Sequence, residues 1–332
     1  MDLSAPSFSF DIPSVYDGRK LQCRIILPSR VQNIQSTPGS PIHGAIVAHP
    51  YAPLGGCYDD PVVDFVSNEL LQANFIVGTF NFRGAGDSEG RTSWTSKPEL
   101  GDYVSFYGFM LIYLHLLKHA LASNQSAAEP CSSTQDGGLE DPVLEATSGS
   151  HPDVHLILGG YSYGSLIASH LPTPGVILEL FESLEASISE IRDIAKRVAI
   201  SSMDHPIPPT NLDLRALTTS ISYLLVSPLL PPISQLLTIF TTLSLKVASR
   251  TLPCPDPADQ LSRHRTLALA GNLDSFVSAA KLERWSDELL HMPGSQFQFR
   301  MIDGADHFWR RNERARLLLR VWLESFRSNQ VC

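Results

Sequence analysis

Cysteine is scarce in this chain and never paired. The five cysteines, Cys23, Cys57, Cys131, Cys254 and Cys332, are odd in number, widely spread and form no C-x-x-C pair. That pattern fits free thiols in a reducing compartment better than a disulfide framework, and it offers no zinc-type spacing. Met1 to Phe10 has no basic stretch leading into a sustained apolar run, so no secretory leader is read there and the cytosol is the expected location. Basic residues are outnumbered, 25 Lys and Arg against 34 Asp and Glu, for a formal net charge of −9. Such a balance disfavours a nucleic-acid backbone as the main partner. Uninterrupted long apolar runs are missing too. Val104 to Leu117 falls short of the ~20 residues a spanning helix needs and contains Gly108 and His115. Ala216 to Leu245 carries no charge, but Pro228, Pro231 and Pro232 interrupt it. It reads as a buried strand followed by an apolar helix, with a membrane-touching lid as the competing reading; stable membrane insertion is not expected. No H-E-x-x-H, Walker or dinucleotide-binding pattern occurs, so no metal and no cofactor is expected.

What is present is enough to bury a real core: 332 residues, 43% of them hydrophobic and 18% charged. Phe8 to Pro28 reads as a hairpin turning at Tyr16-Asp17-Gly18. Apolar strands then alternate with helices: Ile42–Ala48, helix Pro61–Ala73, Phe75–Phe82, helix Leu100–Leu121, Val154–Gly159, and a helix opening at Tyr163. Later strands are Tyr223–Ser227, Thr266–Ala270 and Phe297–Ile302. Strands apolar on both faces, alternating with helices, imply a single α/β domain over 1–332 with a mainly parallel sheet covered on both sides. The segment 123–153 breaks the pattern. It is rich in Ser, Gly, Ala and Pro, and its charges are Glu129, Asp136, Glu140, Asp141, Glu145 and Asp153, with no Lys or Arg. It reads as a flexible acidic surface insertion. Segments 172–216, with a helical piece Val176–Ile194, and 229–262 are candidate caps over a site. Near the end, Arg310, Arg311, Arg314, Arg316 and Arg320 read as the wet face of a helix whose Leu317, Leu318, Val321 and Trp322 point inward.

One segment carries the chemistry. Gly160-Tyr161-Ser162-Tyr163-Gly164 is a G-x-S-x-G directly after an apolar strand and directly before a helix. A sharp strand-to-helix turn presents the serine hydroxyl above the sheet, and small residues two before and two after it let neighbouring backbone approach. Gly86-Asp87-Ser88-Glu89-Gly90 matches the same letters. There Asp87 and Glu89 would oppose a developing oxyanion, and a polar loop follows instead of a helix. Ser162 is therefore the expected nucleophile. A serine hydroxyl needs a base to take its proton. Of the eleven histidines only His307 lies in a loop after what should be the last strand, in Asp303-Gly-Ala-Asp-His-Phe308. The acid that holds such a histidine falls between the two in chain order, and Asp274, after Thr266-Leu-Ala-Leu-Ala-Gly-Asn-Leu, occupies that place, with Asp303 as the competing choice. An oxyanion hole would use the backbone N–H of Tyr163 and, because Pro50 has none, that of Tyr51 in His49-Pro50-Tyr51-Ala-Pro-Leu-Gly-Gly56.

Assembled, these segments resemble the α/β-hydrolase superfamily, and in particular a small intracellular group of serine hydrolases. The motifs that carry the resemblance are H-P-x-x-x-x-G-G at His49–Gly56, N-F-R-G-x-G-x-S-x-G at Asn81–Gly90, G-x-S-x-G at Gly160–Gly164, G-x-x-D-x-F-V at Gly271–Val277 and G-A-D-H-F at Gly304–Phe308. The resemblance implies the α/β-hydrolase fold, with cap segments. It also implies Ser162, Asp274 and His307 as a catalytic triad, and Arg83 and Gly84 as structural neighbours of the site. Members of the superfamily include esterases, thioesterases and peptidases, and substrate choice lives in caps and loops. The expected activity is hydrolysis of an ester or thioester with an apolar acyl part. The alternatives are a non-hydrolytic cyclisation or condensation on the same scaffold, and a silent binder of a hydrophobic ligand.

Overall fold

Every strand expected from the sequence forms, and the order in which they pair fixes where a site can lie. The computed structural model describes residues 6–28, 40–128, 152–203, 218–238, 243–247, 250–310 and 313–328. In chain order the elements are β1 (Phe8–Pro13), β2 (Lys20–Ile26), β3 (Ile42–Ala48), α1 (Pro61–Gln72), β4 (Ile76–Phe80), α2 (Lys97–Ala128), β5 (Val154–Tyr161), α3 (Tyr163–Ala168), α4 (Pro174–Phe181) and α5 (Ala186–Ser201). They continue with β6 (Thr219–Val226), α6 (Ile233–Leu237), β7 (Leu245–Val247), β8 (Arg250–Leu252), α7 (Pro257–Arg263), β9 (Arg265–Gly271), α8 (Ala279–Leu290), β10 (Phe297–Ile302) and α9 (Glu313–Ser328). The main sheet has eight strands in the order β1-β2-β4-β3-β5-β6-β9-β10, and β7 pairs with β8 separately. The β1–β2 and β2–β4 pairs are antiparallel; every other pair in the main sheet is parallel. From β3 the chain crosses to β4 on one side and then back to β5 on the other. That reversal opens a crevice at the carboxyl ends of β3 and β5, where open α/β sheets bind ligands.

The two faces of the sheet are buried by different helices. Val62, Phe65 and Val66 of α1 and Ala315, Leu319, Trp322 and Leu323 of α9 cover one face. Residues of α2, α3, α4, α5, α7 and α8 cover the other. Over Leu100 to Leu117 α2 is largely apolar on every side because it is buried on every side, with Tyr103, Tyr107 and Phe109 fully covered. By length and composition its Lys97–Leu121 part is the one stretch among the described residues that could cross a membrane, and the most apolar 18-residue window of it is wholly buried inside the fold. At its start the Asp102 carboxylate accepts from Arg83 Nε at 2.9 Å and from Ser14 Oγ at 2.7 Å, while Arg83 also pairs with Asp17 at 2.9 Å. The N-terminal hairpin, the end of β4 and α2 are thereby joined by one buried charge network.

Three expectations are corrected. α2 runs on to Ala128, so the first residues of the 123–153 segment are helical; residues 129–151 lie outside the described residues. The expected helix Val176–Ile194 is two helices, α4 and α5, broken at 182–185. Ile188, Ile191, Ala195 and Val198 recur at helical spacing and are buried, so α5 lies alongside α2 and reaches β1 as part of the helix layer, not as a separate cap. Residues 204–217 lie outside the described residues. In α9 the inward stripe is Ala315, Leu319, Trp322, Leu323 and Phe326, while Leu317 and Val321 are exposed. The stripe is rotated from the expected one because Arg316 and Arg320 turn towards the buried Glu69 of α1.

Burial also builds an acid sensitivity into the fold. His49 and His115 are pushed down to about 4 by burial, opposed for His49 by its hydrogen bond to the Pro50 carbonyl and for His115 by Asp153. His155 is pushed down to about 3 by burial, then by His43 and Arg265. In the unfolded chain each titrates near 6.5. The unfolded state therefore binds more protons below that pH, and stability is complete above about 6.5 and falls as pH drops towards 4. At pH 5.5 the cost is about 1.4 kcal/mol per histidine, roughly 4 kcal/mol for the three. Urea unfolding midpoints measured between pH 7.5 and 5.5 should fall accordingly; a flat profile would mean that these imidazoles are not held neutral.

Candidate active site

The turn from β5 to α3 is built by close backbone approach. Ser162 takes φ 55° and ψ −112°, a conformation that costs an L residue energy and persists only where the surroundings enforce it. They do: the Ser162 N–H donates to the Val226 carbonyl of β6 at 2.8 Å. A Cβ on Gly160 would lie 2.3 Å from the Gly164 carbonyl carbon, and one on Gly164 would lie 2.4 Å from the Ala48 carbonyl oxygen. Only glycine fits at either position, which is the physical content of the G-x-S-x-G pattern here.

Ser162, His307 and Asp274, 112 and 33 residues apart along the chain at their closest pairs, form one hydrogen-bonded line. The Ser162 hydroxyl donates to His307 Nε2 at 2.9 Å, and His307 Nδ1–H donates to Asp274 Oδ2 at 2.7 Å. The His307 and Asp274 side chains are 4% and 1% exposed, so little water competes for these bonds. The other carboxylate oxygen, Asp274 Oδ1, accepts from the N–H groups of Phe276 at 2.8 Å and Val277 at 3.1 Å. Burial pushes the Asp274 carboxyl up, but the bond from His307, the charge of that ring and the two N–H groups outweigh it and hold Asp274 below its ordinary range. Asp274 is thus an anion whose one free edge faces the imidazole.

The competing candidates are placed elsewhere. Asp303 accepts from Asn272 Nδ2 at 2.6 Å on the exposed side of the loop, and Asn272 Oδ1 in turn accepts from the Gly304 N–H at 2.8 Å. That pair ties the loop of Asp274 to the loop of His307. Ser88 is buried; its hydroxyl donates to the Asn81 carbonyl at 2.8 Å and accepts from the Gln22 N–H at 2.9 Å, so it joins β2 to the end of β4.

Several residues around the line carry no local sequence signal. The Tyr161 hydroxyl donates to the His307 carbonyl at 2.9 Å, and the Tyr161 and Phe276 rings lie 5.5 and 4.4 Å from the imidazole. Trp309 Nε1 donates to Ser227 Oγ at 2.9 Å, anchoring the far side of the same loop to the end of β6. Asp60 caps α1 through Val62 N–H at 2.8 Å and lies close enough to His307 to respond to its charge.

Tyr163 opens α3, so its N–H has no acceptor within the helix. Tyr51 precedes a single 3-10 turn, Ala52–Leu54, in the loop after β3. The approach of Gly164 to Ala48 and His49 sets that loop beside the serine turn, and the Tyr51 and Tyr163 rings meet edge-on at 5.2 Å. His49 holds the loop: Nε2 accepts from the Phe82 N–H at 2.9 Å and Nδ1–H donates to the Pro50 carbonyl at 2.6 Å. Those two bonds suit the neutral ring that burial enforces.

A scan of protein-family models and a search of curated proteins find no match to this chain. Solved structures do match over nearly the whole length. An alpha-beta serine hydrolase homologue from Coxiella burnetii is 16% identical, with 96% of this chain and 98% of that one covered and a TM-score of 0.50. A protein of unknown function from Agrobacterium tumefaciens, provisionally assigned to the alpha/beta hydrolases, is 17% identical, with 98% of each chain covered and a TM-score of 0.50. Likeness at such identities speaks to the fold alone. With the mainly parallel sheet, its strand order and the serine turn at the crevice, it makes this an α/β-hydrolase fold.

Proposed function

We propose that this protein is a serine hydrolase that cleaves an ester or thioester with an apolar acyl part through a covalent acyl-enzyme on Ser162. The observation that carries the reading is the buried hydrogen-bonded line Ser162–His307–Asp274 on a strained turn at the crevice. His307 Nε2, kept as an acceptor because Nδ1–H is committed to Asp274, takes the Ser162 proton as Oγ attacks the acyl carbon. Asp274 then faces an imidazolium, and its lone-pair edge stabilises the new charge. The N–H groups of Tyr163 and Tyr51 are the donors proposed for the oxyanion. Collapse of the tetrahedral adduct breaks the bond to the leaving alkoxide or thiolate, which takes the proton from His307; water then repeats the sequence and releases the acid. The substrate class rests on the absence of charge from 219–245, whose segment 227–237 runs beside the site, and on the Tyr51, Phe276 and Phe308 rings around its rim.

A fluorophosphonate probe should label the folded protein once per chain, at Ser162, and labelling should be blocked by prior acylation with an activated ester. A panel of esters and thioesters graded in acyl length should then show turnover rising with chain length. Absence of labelling in folded protein would remove the reading altogether.

A further inference from the structure

Ser96 sits immediately before α2, fully buried, with φ 57° in the left-handed region. A serine there ordinarily caps the helix with its hydroxyl. Here the backbone starts the helix through the Leu100 N–H to Ser96 carbonyl bond at 3.0 Å, and the hydroxyl is turned away from it. Ser96 Oγ accepts from the Tyr163 hydroxyl at 2.8 Å and donates to the Leu237 carbonyl at 2.9 Å. The strained backbone is held from behind: the Ser96 N–H donates to Ser93 Oγ at 3.0 Å, and Ser93 donates from its hydroxyl and its N–H to the buried Glu99 carboxylate at 2.6 and 2.5 Å. One hydroxyl therefore joins the residue next to Ser162 to the end of α6.

The path of the chain gives that bridge a role. Segment 227–237 leaves β6 where Val226 accepts the Ser162 N–H, and Ser227 accepts from Trp309 beside the His307 loop. It ends at Leu237, against Ser96 and the Tyr163 hydroxyl. It therefore spans one wall of the crevice, from the His307 side to the Tyr163 side, and it is uncharged throughout. Yet α6 contains no buried residue, and Leu236 is 62% exposed. Apolar burial alone holds it weakly, so the hydrogen bond at its carboxyl end matters more than it would in a core helix.

We propose that Ser96 is a specificity-determining positioning residue, whose hydroxyl clamps α6 as the wall against which a long acyl chain packs; this rests on the acyl-hydrolase reading above. The informative variant is Ser96→Gly, because glycine keeps the left-handed backbone without strain while removing the short side chain that carries the hydroxyl. The amides of Ile233–Leu237 should then exchange with solvent about tenfold faster, the scale of one lost hydrogen bond in a weakly packed segment. The kcat/KM for a decanoyl ester should fall about tenfold, through KM, while an acetyl ester is turned over within about twofold of wild type. Unchanged exchange would overturn the clamp. Faster exchange with an unchanged chain-length profile would overturn the specificity role. If the wild-type protein turned over no acyl ester, the hydrolase reading and the specificity role would fall together, while the exchange comparison would still decide whether Ser96 holds α6.

Discussion

Replacing Ser162 by alanine should lower turnover of an activated ester by a factor on the order of 10⁶, the scale seen when the nucleophile of a cooperating triad is removed. The folded state should survive. Among the hydrogen bonds described, the Ser162 hydroxyl makes the one to His307, and the turn is enforced by Gly160, Gly164 and the Val226 carbonyl, none of which the change touches. Ser88→Ala should behave in the opposite way. Its hydroxyl satisfies two backbone groups, the Asn81 carbonyl and the Gln22 N–H, so its loss should cost about 1–3 kcal/mol of stability and leave fluorophosphonate labelling intact. The pair separates the two G-x-S-x-G matches by two different measurements, labelling and unfolding. Labelling that survived in Ser162→Ala and disappeared in folded Ser88→Ala would exchange their roles.

The sequence made some of this visible and hid the rest for identifiable reasons. β3 and β10 were legible to the residue, β3 as a mainly apolar run and β10 as the alternating Phe297-Gln-Phe-Arg-Met-Ile302, each set off by turn-forming residues at both ends. β6 begins at Thr219, four residues before its apolar run, because its first residues pair at the polar edge of the sheet, where Ser220 Oγ meets His155 Nδ1 at 2.8 Å. α9 misled because an amphipathic stripe can be rotated by ion pairs to another helix, and Glu69 is 251 residues from Arg320. Ser162, His307 and Asp274 were legible because each follows a strand and their chain order is constrained. The parts played by Ser96, Tyr161 and Asn272 were not, since each acts through long-range hydrogen bonds that leave no mark on its neighbours in sequence. In the apolar stretch from 229 onwards, Leu229, Leu243, Leu245, Val247 and Leu252 are core, whereas Ile233 and Leu237 are half-buried against it and Leu236 is exposed.

Asp274→Asn should lower turnover by about 10⁴, and the hydrogen bonds around this carboxylate explain why an amide cannot substitute. Asp274 Oδ1 accepts from two backbone N–H groups, those of Phe276 and Val277. An asparagine must leave its carbonyl oxygen there, because turning the amide over would set NH₂ against two donors. Its NH₂ then points at His307 Nδ1, where a proton already sits. The imidazole can only respond by moving that proton to Nε2, and Nε2 is the atom that accepts from Ser162 at 2.9 Å. The variant would keep its shape and lose its base. Asp303→Asn faces no such conflict: its one described side-chain partner is Asn272 Nδ2, on an exposed edge, and an amide oxygen accepts that bond equally well. Its turnover should stay within about threefold of wild type, since an exposed neutral hydrogen bond is worth at most about 1 kcal/mol. Steady-state kinetics on one activated ester, with both variants checked for an unchanged unfolding midpoint, decides the matter. A larger loss in Asp303→Asn than in Asp274→Asn would move the acid to the other end of the loop pair and leave the Asp274–His307 bond without a catalytic role.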